Sequence, residues 1–66
     1  MEMEKQVGKY VVKLFKGEYY GIRYIIHVHE LGANISDTTD VYNSKLRAIK
    51  VFKKLNSVSI IHKWCE

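Results

Sequence analysis

This chain predicts a small α+β domain, an antiparallel sheet packed on one helix. Two strand-like runs alternate in chemistry, and one later run repeats at helical spacing. In Lys9-Tyr10-Val11-Val12-Lys13-Leu14-Phe15, Tyr10, Val12 and Leu14 share one face, and Lys9, Val11, Lys13 and Phe15 share the other. In Ile22-Arg23-Tyr24-Ile25-Ile26-His27-Val28-His29, Ile22, Tyr24, Ile26 and Val28 oppose Arg23, Ile25, His27 and His29. Successive strand side chains point to opposite faces, so each run offers an apolar face and a mixed basic one. Leu46, Ile49, Phe52 and Leu55, with Ala48 and Val51 beside them, recur as on a helix.

The elements follow in order. Residues 1–6 are polar and read as a frayed terminus. Strand one covers about 7–15, and Lys16-Gly17-Glu18 is the turn, with Gly17 free to take a positive φ. Strand two covers 22–30 and pairs with the first as a hairpin. Leu31-Gly32-Ala33-Asn34 is the next turn, and 35–39 is a short, edge-like third strand. Three strands are expected because an isolated hairpin is marginal in water. A helix runs from Asn43 or Ser44 to Leu55, with either residue as N-cap and Tyr42 packing ahead of it. Its stripe covers the apolar sheet face. Residues 58–66 form a fourth strand, by the alternation of Val58, Ile60, His62 and Trp64, or an arm that pairs two subunits in a homodimer. The order is β-β-β-α in one domain, 1–66, with this fourth strand as an addition.

Sixty-six residues make one domain that buries only about 60% of its unfolded surface. The apolar share, 47%, argues against disorder. Cys65 is the single cysteine, so no internal disulfide forms and a reducing cytoplasm is the expected compartment. No apolar run is long enough to span a membrane, and the start lacks the apolar core of a signal peptide. The net charge of +4 and pI near 9.3 favour an acidic partner, nucleic acid or an acidic host protein or nucleoprotein.

Lys9, Lys13, Arg23, His27 and His29, interleaved with Phe15 and Ile25, form the expected basic sheet face. Cations would hold phosphates there and apolar groups would pack on bases. The same charges also serve to keep an exposed sheet from aggregating. Lys45 and Arg47 occupy the first helical turn, where the dipole favours anions, and with Lys50 they offer a phosphate a second hold.

Strands followed by a helix opening Tyr42-Asn43-Ser44-Lys45-Leu46-Arg47-Ala48 resemble the arm-type DNA-binding domain of tyrosine recombinases. That family is a three-stranded sheet plus a helix, and it lays the sheet in the DNA major groove. Tyr42, Ser44, Lys45 and Ala48 match the aromatic, hydroxyl, Lys and Ala with which its helix often opens. The resemblance implies DNA contacts from Lys9, Lys13, Arg23, His27 and His29. Ser44, Lys45, Arg47 and Ala48 also resemble the last helix of double-stranded RNA-binding domains, whose lysines clamp phosphates. The family's first helix has no counterpart here. The size and the α+β pattern further resemble small phage-encoded inhibitors, anti-CRISPR proteins among them. That resemblance implies a host-protein target met by Phe15, Tyr19, Tyr20 and Trp64, since aromatic residues and Arg dominate interface energetics.

His27 and His29 could share a metal with His62 and Cys65 if the tail reached them, but the spacing is loose for zinc, and no metal or other cofactor is expected. Ser36, Ser44 and Cys65 have no evident base, and Asp37 and Asp40 read as turn or cap residues. Asn34-Ile35-Ser36 fits the glycosylation pattern, by chance in a chain without a secretion signal. The expectation is therefore a non-enzymatic binding protein. Nucleic acid is its first ligand class, and a phage-type inhibitor of a host protein is the alternative.

Overall fold

The computed structural model describes residues 2–32 and 37–66. Among them the order is β1 (Glu2–Val7), β2 (Tyr10–Glu18), β3 (Ile22–Glu30), β4 (Asp37–Tyr42), α1 (Lys45–Lys54) and α2 (Val58–Trp64). The strands form one antiparallel sheet in the order β1-β2-β3-β4, so each strand pairs with its neighbour in sequence. Both helices cover the same sheet face. Tyr10, Val12 and Leu14 of β2 and Ile26 and Val28 of β3 meet Ala48, Phe52, Leu55 and Ile61 in one buried cluster. Each such side chain contributes about 1.5–3 kcal/mol when fully buried, the smaller Ala48 less.

The α+β class and the sheet-on-helix packing are as expected. Four strands and two helices replace the expected three and one. Strand 22–30 matches β3, but residues 1–6 are not a frayed end. Met3, Lys5 and Val7 of β1 lie across from Leu14, Val12 and Tyr10 of β2. Met3 and Val7 pack against the core. Lys5 points the same way, its Nζ donating to the Phe52 carbonyl at 2.5 Å and lying 4.5 Å above the Phe52 ring. Burial pushes its pKa down.

Strand one therefore divides at Gly8-Lys9, a two-residue turn between Val7 and Tyr10. Gly8 has φ +59, as the first central position of a tight hairpin turn requires. The expected turn at Lys16-Gly17-Glu18 lies inside β2, and Gly17 does not take a positive φ. Ile25 crosses it instead: an added Cβ would sit 2.8 Å from Ile25 Cδ1, and the Ile25 side-chain tip would have to shift. The chain reverses instead through Tyr19-Tyr20-Gly21, with φ 56 at Tyr20 and 106 at Gly21.

The strand expected at 35–39 is β4, described over Asp37–Tyr42 and running past the expected end at Thr39. Ala33 and Asn34 of the expected turn, and Ile35 and Ser36 of the expected strand, lie outside the described residues, as does the whole glycosylation pattern. Helix α1 starts where expected: Ser44 is its N-cap and accepts from the Arg47 N–H at 3.3 Å. The stripe is turned slightly, so that Ala48, Phe52 and Leu55 are buried and Leu46 is 75% exposed.

The tail is neither a strand nor a free arm. Ser57 caps α2 by accepting from the Ile60 N–H, and Ile61 enters the core with Trp64 and Cys65 packed beside it. That is the i, i+3, i+4 face of a helix. A helix satisfies its own backbone groups, which a strand lying on the sheet's face could not do. Val58 rests on Gly8, tying α2 to the first hairpin turn.

Candidate functional site

Charge is distributed unevenly between the two layers. Residues 1–42 hold five Lys or Arg against six Asp or Glu, a net of −1. Residues 43–66 hold six against one, a net of +5. The whole positive excess therefore belongs to the helical layer.

The expected basic sheet face is largely neutralised by its neighbours. Lys13 stands between Glu4 of β1 and His27 of β3, and its Nζ lies 3.7 Å from Glu4. His29 pairs directly with Asp37 of β4, Nδ1 to Oδ1 at 2.5 Å, and His27 reaches the other carboxylate oxygen at 3.3 Å. The His29 hydrogen bond, joined by that of His27, holds the Asp37 carboxyl below its usual range against a smaller opposing effect of burial. Arg23 folds back to donate to the Ile22 carbonyl at 2.9 Å. Lys9 leaves this face altogether. It sits in the Gly8-Lys9 turn, 3.4 Å from Glu30 and 5.5 Å above the Tyr10 ring. What remains exposed on the outer face is a mixed surface crossed by the row Phe15, Ile25 and Val41.

Helix α1 is different. Lys45, Arg47, Lys50, Lys53 and Lys54 project from it, and among the described residues none has an acidic partner within 4 Å. The first turn contains no acid either. Arg47 and Lys50 lie three apart, and Lys50 lies three and four from Lys53 and Lys54, so they are surface neighbours. Each such like-charge pair costs about 0.2–0.5 kcal/mol. Lys63 of α2 adds a sixth cation. Lys53, Lys54 and Lys63 have no assigned role in the sequence-based expectation, although the i, i+3, i+4 spacing from Lys50 is a readable signal.

Apolar surface breaks this cationic row on both sides. Leu46 and Ile49 lie in a shallow recess with Ser44, Arg47, Lys50 and Lys53. Between the helices, Val51, Leu55, Ile60 and Trp64 line a groove of about 400 Å³ rimmed by Lys54 and Lys63. Trp64, expected as a free interface aromatic, is half-buried against the core. Its indole opposes the burial and the 2.9 Å donation to Asp40 that together raise the Tyr42 hydroxyl's pKa. Phe15 is half-buried as well. Tyr19 and Tyr20 are exposed at the β2–β3 tip, edge to face with centroids 4.9 Å apart.

The four residues of the conceivable zinc site fall on opposite sides of the sheet. His27 and His29 are on the open face, whereas His62 approaches the Tyr10 hydroxyl at 3.5 Å on the helical side, near Cys65. Among the described residues no group of three or more His, Cys, Asp or Glu is placed to hold a metal ion. No helix there is long and apolar enough to cross a membrane. Comparison with protein-family models, curated proteins and solved structures finds no match to this chain.

Proposed function

We propose that this is a non-enzymatic binding protein that grips nucleic acid through the helical layer. Its setting would be a reducing cytoplasm. The observation that carries the reading is the uncompensated row of cations on α1, continued by Lys63. Like charges held close without acids cost stability, and a bound polyanion removes that cost. Lys45, Arg47 and Lys50 keep the role expected from sequence. Lys53, Lys54 and Lys63 join them. Lys9, Lys13, Arg23, His27 and His29 become secondary, because Lys9, Lys13, His27 and His29 already face acids and Arg23 turns to a backbone carbonyl. The likeness to recombinase arm-type domains would place the sheet on the DNA; the charge distribution favours the opposite layer.

Fluorescence anisotropy with labelled single- and double-stranded DNA and RNA tests the proposal. If all six cations meet phosphates, log K should fall against log salt with a slope of about −4 on single strands. Absence of binding at low salt refutes it.

A second reading rests on Tyr20, which is 87% exposed and holds a left-handed φ of 56. A bulky residue with positive φ costs about 1–2 kcal/mol and is uncommon outside functional positions. With Tyr19 and the nearby Arg23 it has the composition of an interface hot spot. In this reading the tip inserts into a cleft of a host protein, as a phage-type inhibitor would. A pull-down that survives nuclease and is lost on Tyr20→Asn supports it.

A further inference from the structure

The cationic row alone would suit any polyanion. The groove between α1 and α2 narrows the choice. Its floor is Leu55, its walls are Val51, Ile60 and Trp64, and Lys54 and Lys63 stand at its rim without an acid among the lining residues. Ile60 is 39% exposed there, although it is one residue from the fully buried Ile61. Across α1, Leu46 and Ile49 make a second recess among Arg47, Lys50 and Lys53. Anion-binding groups and apolar recesses therefore alternate across the helical layer.

A duplex presents phosphates outward and keeps its bases stacked within, so it would leave both recesses empty. A single strand presents an anion at each unit with an unstacked base between, and it matches the alternation. An acidic peptide offers anions and apolar groups too. Here cations stand at both recesses, Arg47, Lys50 and Lys53 at one and Lys54 and Lys63 at the other, as a ligand with an anion at every unit requires.

We infer that the bound form is single-stranded nucleic acid, with one base inserted in the α1–α2 groove against Trp64 and Ile60 and its flanking phosphates at Lys54 and Lys63. The inference rests on the nucleic-acid reading above and specifies its ligand. Trp64 is the only tryptophan in the chain, so its emission reports on this groove.

The full chain is titrated at low salt with short oligo-dT, with a duplex containing the same strand, and with an acidic peptide carrying phenylalanine. Oligo-dT should quench Trp64, and the duplex should bind more weakly without quenching. Ile60→Gln removes an apolar wall and leaves the charge alone. It should weaken oligo-dT binding about fivefold and leave duplex binding unchanged. Trp64→Phe, followed by anisotropy with labelled oligo-dT, should retain binding better than Trp64→Ala. Equal affinity for the duplex, with Trp64 silent throughout, overturns the inference and spares the nucleic-acid reading. A response to the peptide but not to oligo-dT assigns the groove to a protein and overturns it as well. Binding to no nucleic acid removes the underlying reading itself.

Discussion

The sheet and the helical layer carry almost equal numbers of Lys and Arg, five and six, yet they use them differently. In the sheet layer Lys9 meets Glu30, Lys13 meets Glu4, and Asp37 meets His29 and His27, while Lys16 and Arg23, without an acid within 4 Å among the described residues, lie apart from one another. Even Lys5, which points inward, finds a carbonyl and a ring. On α1 Arg47, Lys50, Lys53 and Lys54 adjoin one another, and among the described residues no acid lies within 4 Å of them. Paired charge serves the fold and its solubility. Unpaired charge repeated along one helix is a standing cost that a ligand can remove. The contrast teaches that net charge locates no binding surface until the partners of each charge are known.

The largest expected effect comes from the seam between the layers. Gly8→Ala puts a methyl into Val58 and a side chain at φ +59, so it should cost about 2–3 kcal/mol, read as a lower urea midpoint. Adding Val58→Ala should return the steric part and leave the backbone part. If Gly8→Ala alone is neutral, α2 is not anchored there and the two layers are less coupled than described.

Lys50→Glu sharpens the contrast most directly. It replaces repulsion with attraction toward Arg47, Lys53 and Lys54, and should raise stability by about 0.5–1 kcal/mol. It should also weaken nucleic-acid binding at least tenfold and lower the salt slope. The matching change on the sheet, Lys13→Glu, should move binding far less. Equal losses from the two would break the distinction between layers.

A smaller gain is expected from Tyr20→Asn, which relieves the left-handed backbone by about 0.5–1 kcal/mol, read as a rise in Tm. Nucleic-acid binding should be unchanged, since the tip lies on the sheet hairpin.

The smallest effect concerns the sheet's pairing of charge. The Asp37 pKa is lowered in the folded protein, chiefly by the His29 hydrogen bond. Its contribution is thus fully present above the unfolded carboxylate range and is lost as pH falls through the lower folded value, below about pH 4. Asp37→Asn should flatten that acid limb of the stability curve. An unchanged slope would mean that the His–Asp cluster is incidental.

How much of this was legible beforehand differs by element. β3 was readable in full because it is central in the sheet and alternates cleanly. The start of α1 was readable because Ser44 is a strong cap. β1 was hidden by Lys5, an inward lysine that breaks the pattern of Met3 and Val7 and reads as polar sequence. α2 was ambiguous because seven residues fit either period, and Ser57, a good N-cap, was the signal that could have decided it. Sequence does not separate Gly8, which makes a turn, from Gly17, which lies within β2 under the Ile25 side chain. The site was harder. Strand alternation places Lys13, His27 and His29 on one face, but only the register of β1 and β4 brings Glu4 and Asp37 to them. The helical cations needed no such knowledge, because spacing within one helix fixes their neighbours.

The strand order β1-β2-β3-β4 has a kinetic consequence. Every strand pairs with the one just made, and the β1–β2 and β2–β3 reversals take only two and three residues, so the sheet can zip up from local hairpins at little loop-closure cost. The distant contacts, such as Lys5 with Phe52 and Tyr10 with His62, join the helices to strands already formed. Until that docking, the face bearing Val12, Leu14, Ile26 and Val28 is open to water. For a chain emerging from a ribosome, the sheet must wait for residues 43–66 to shelter it, and that interval is when it is most exposed to aggregation.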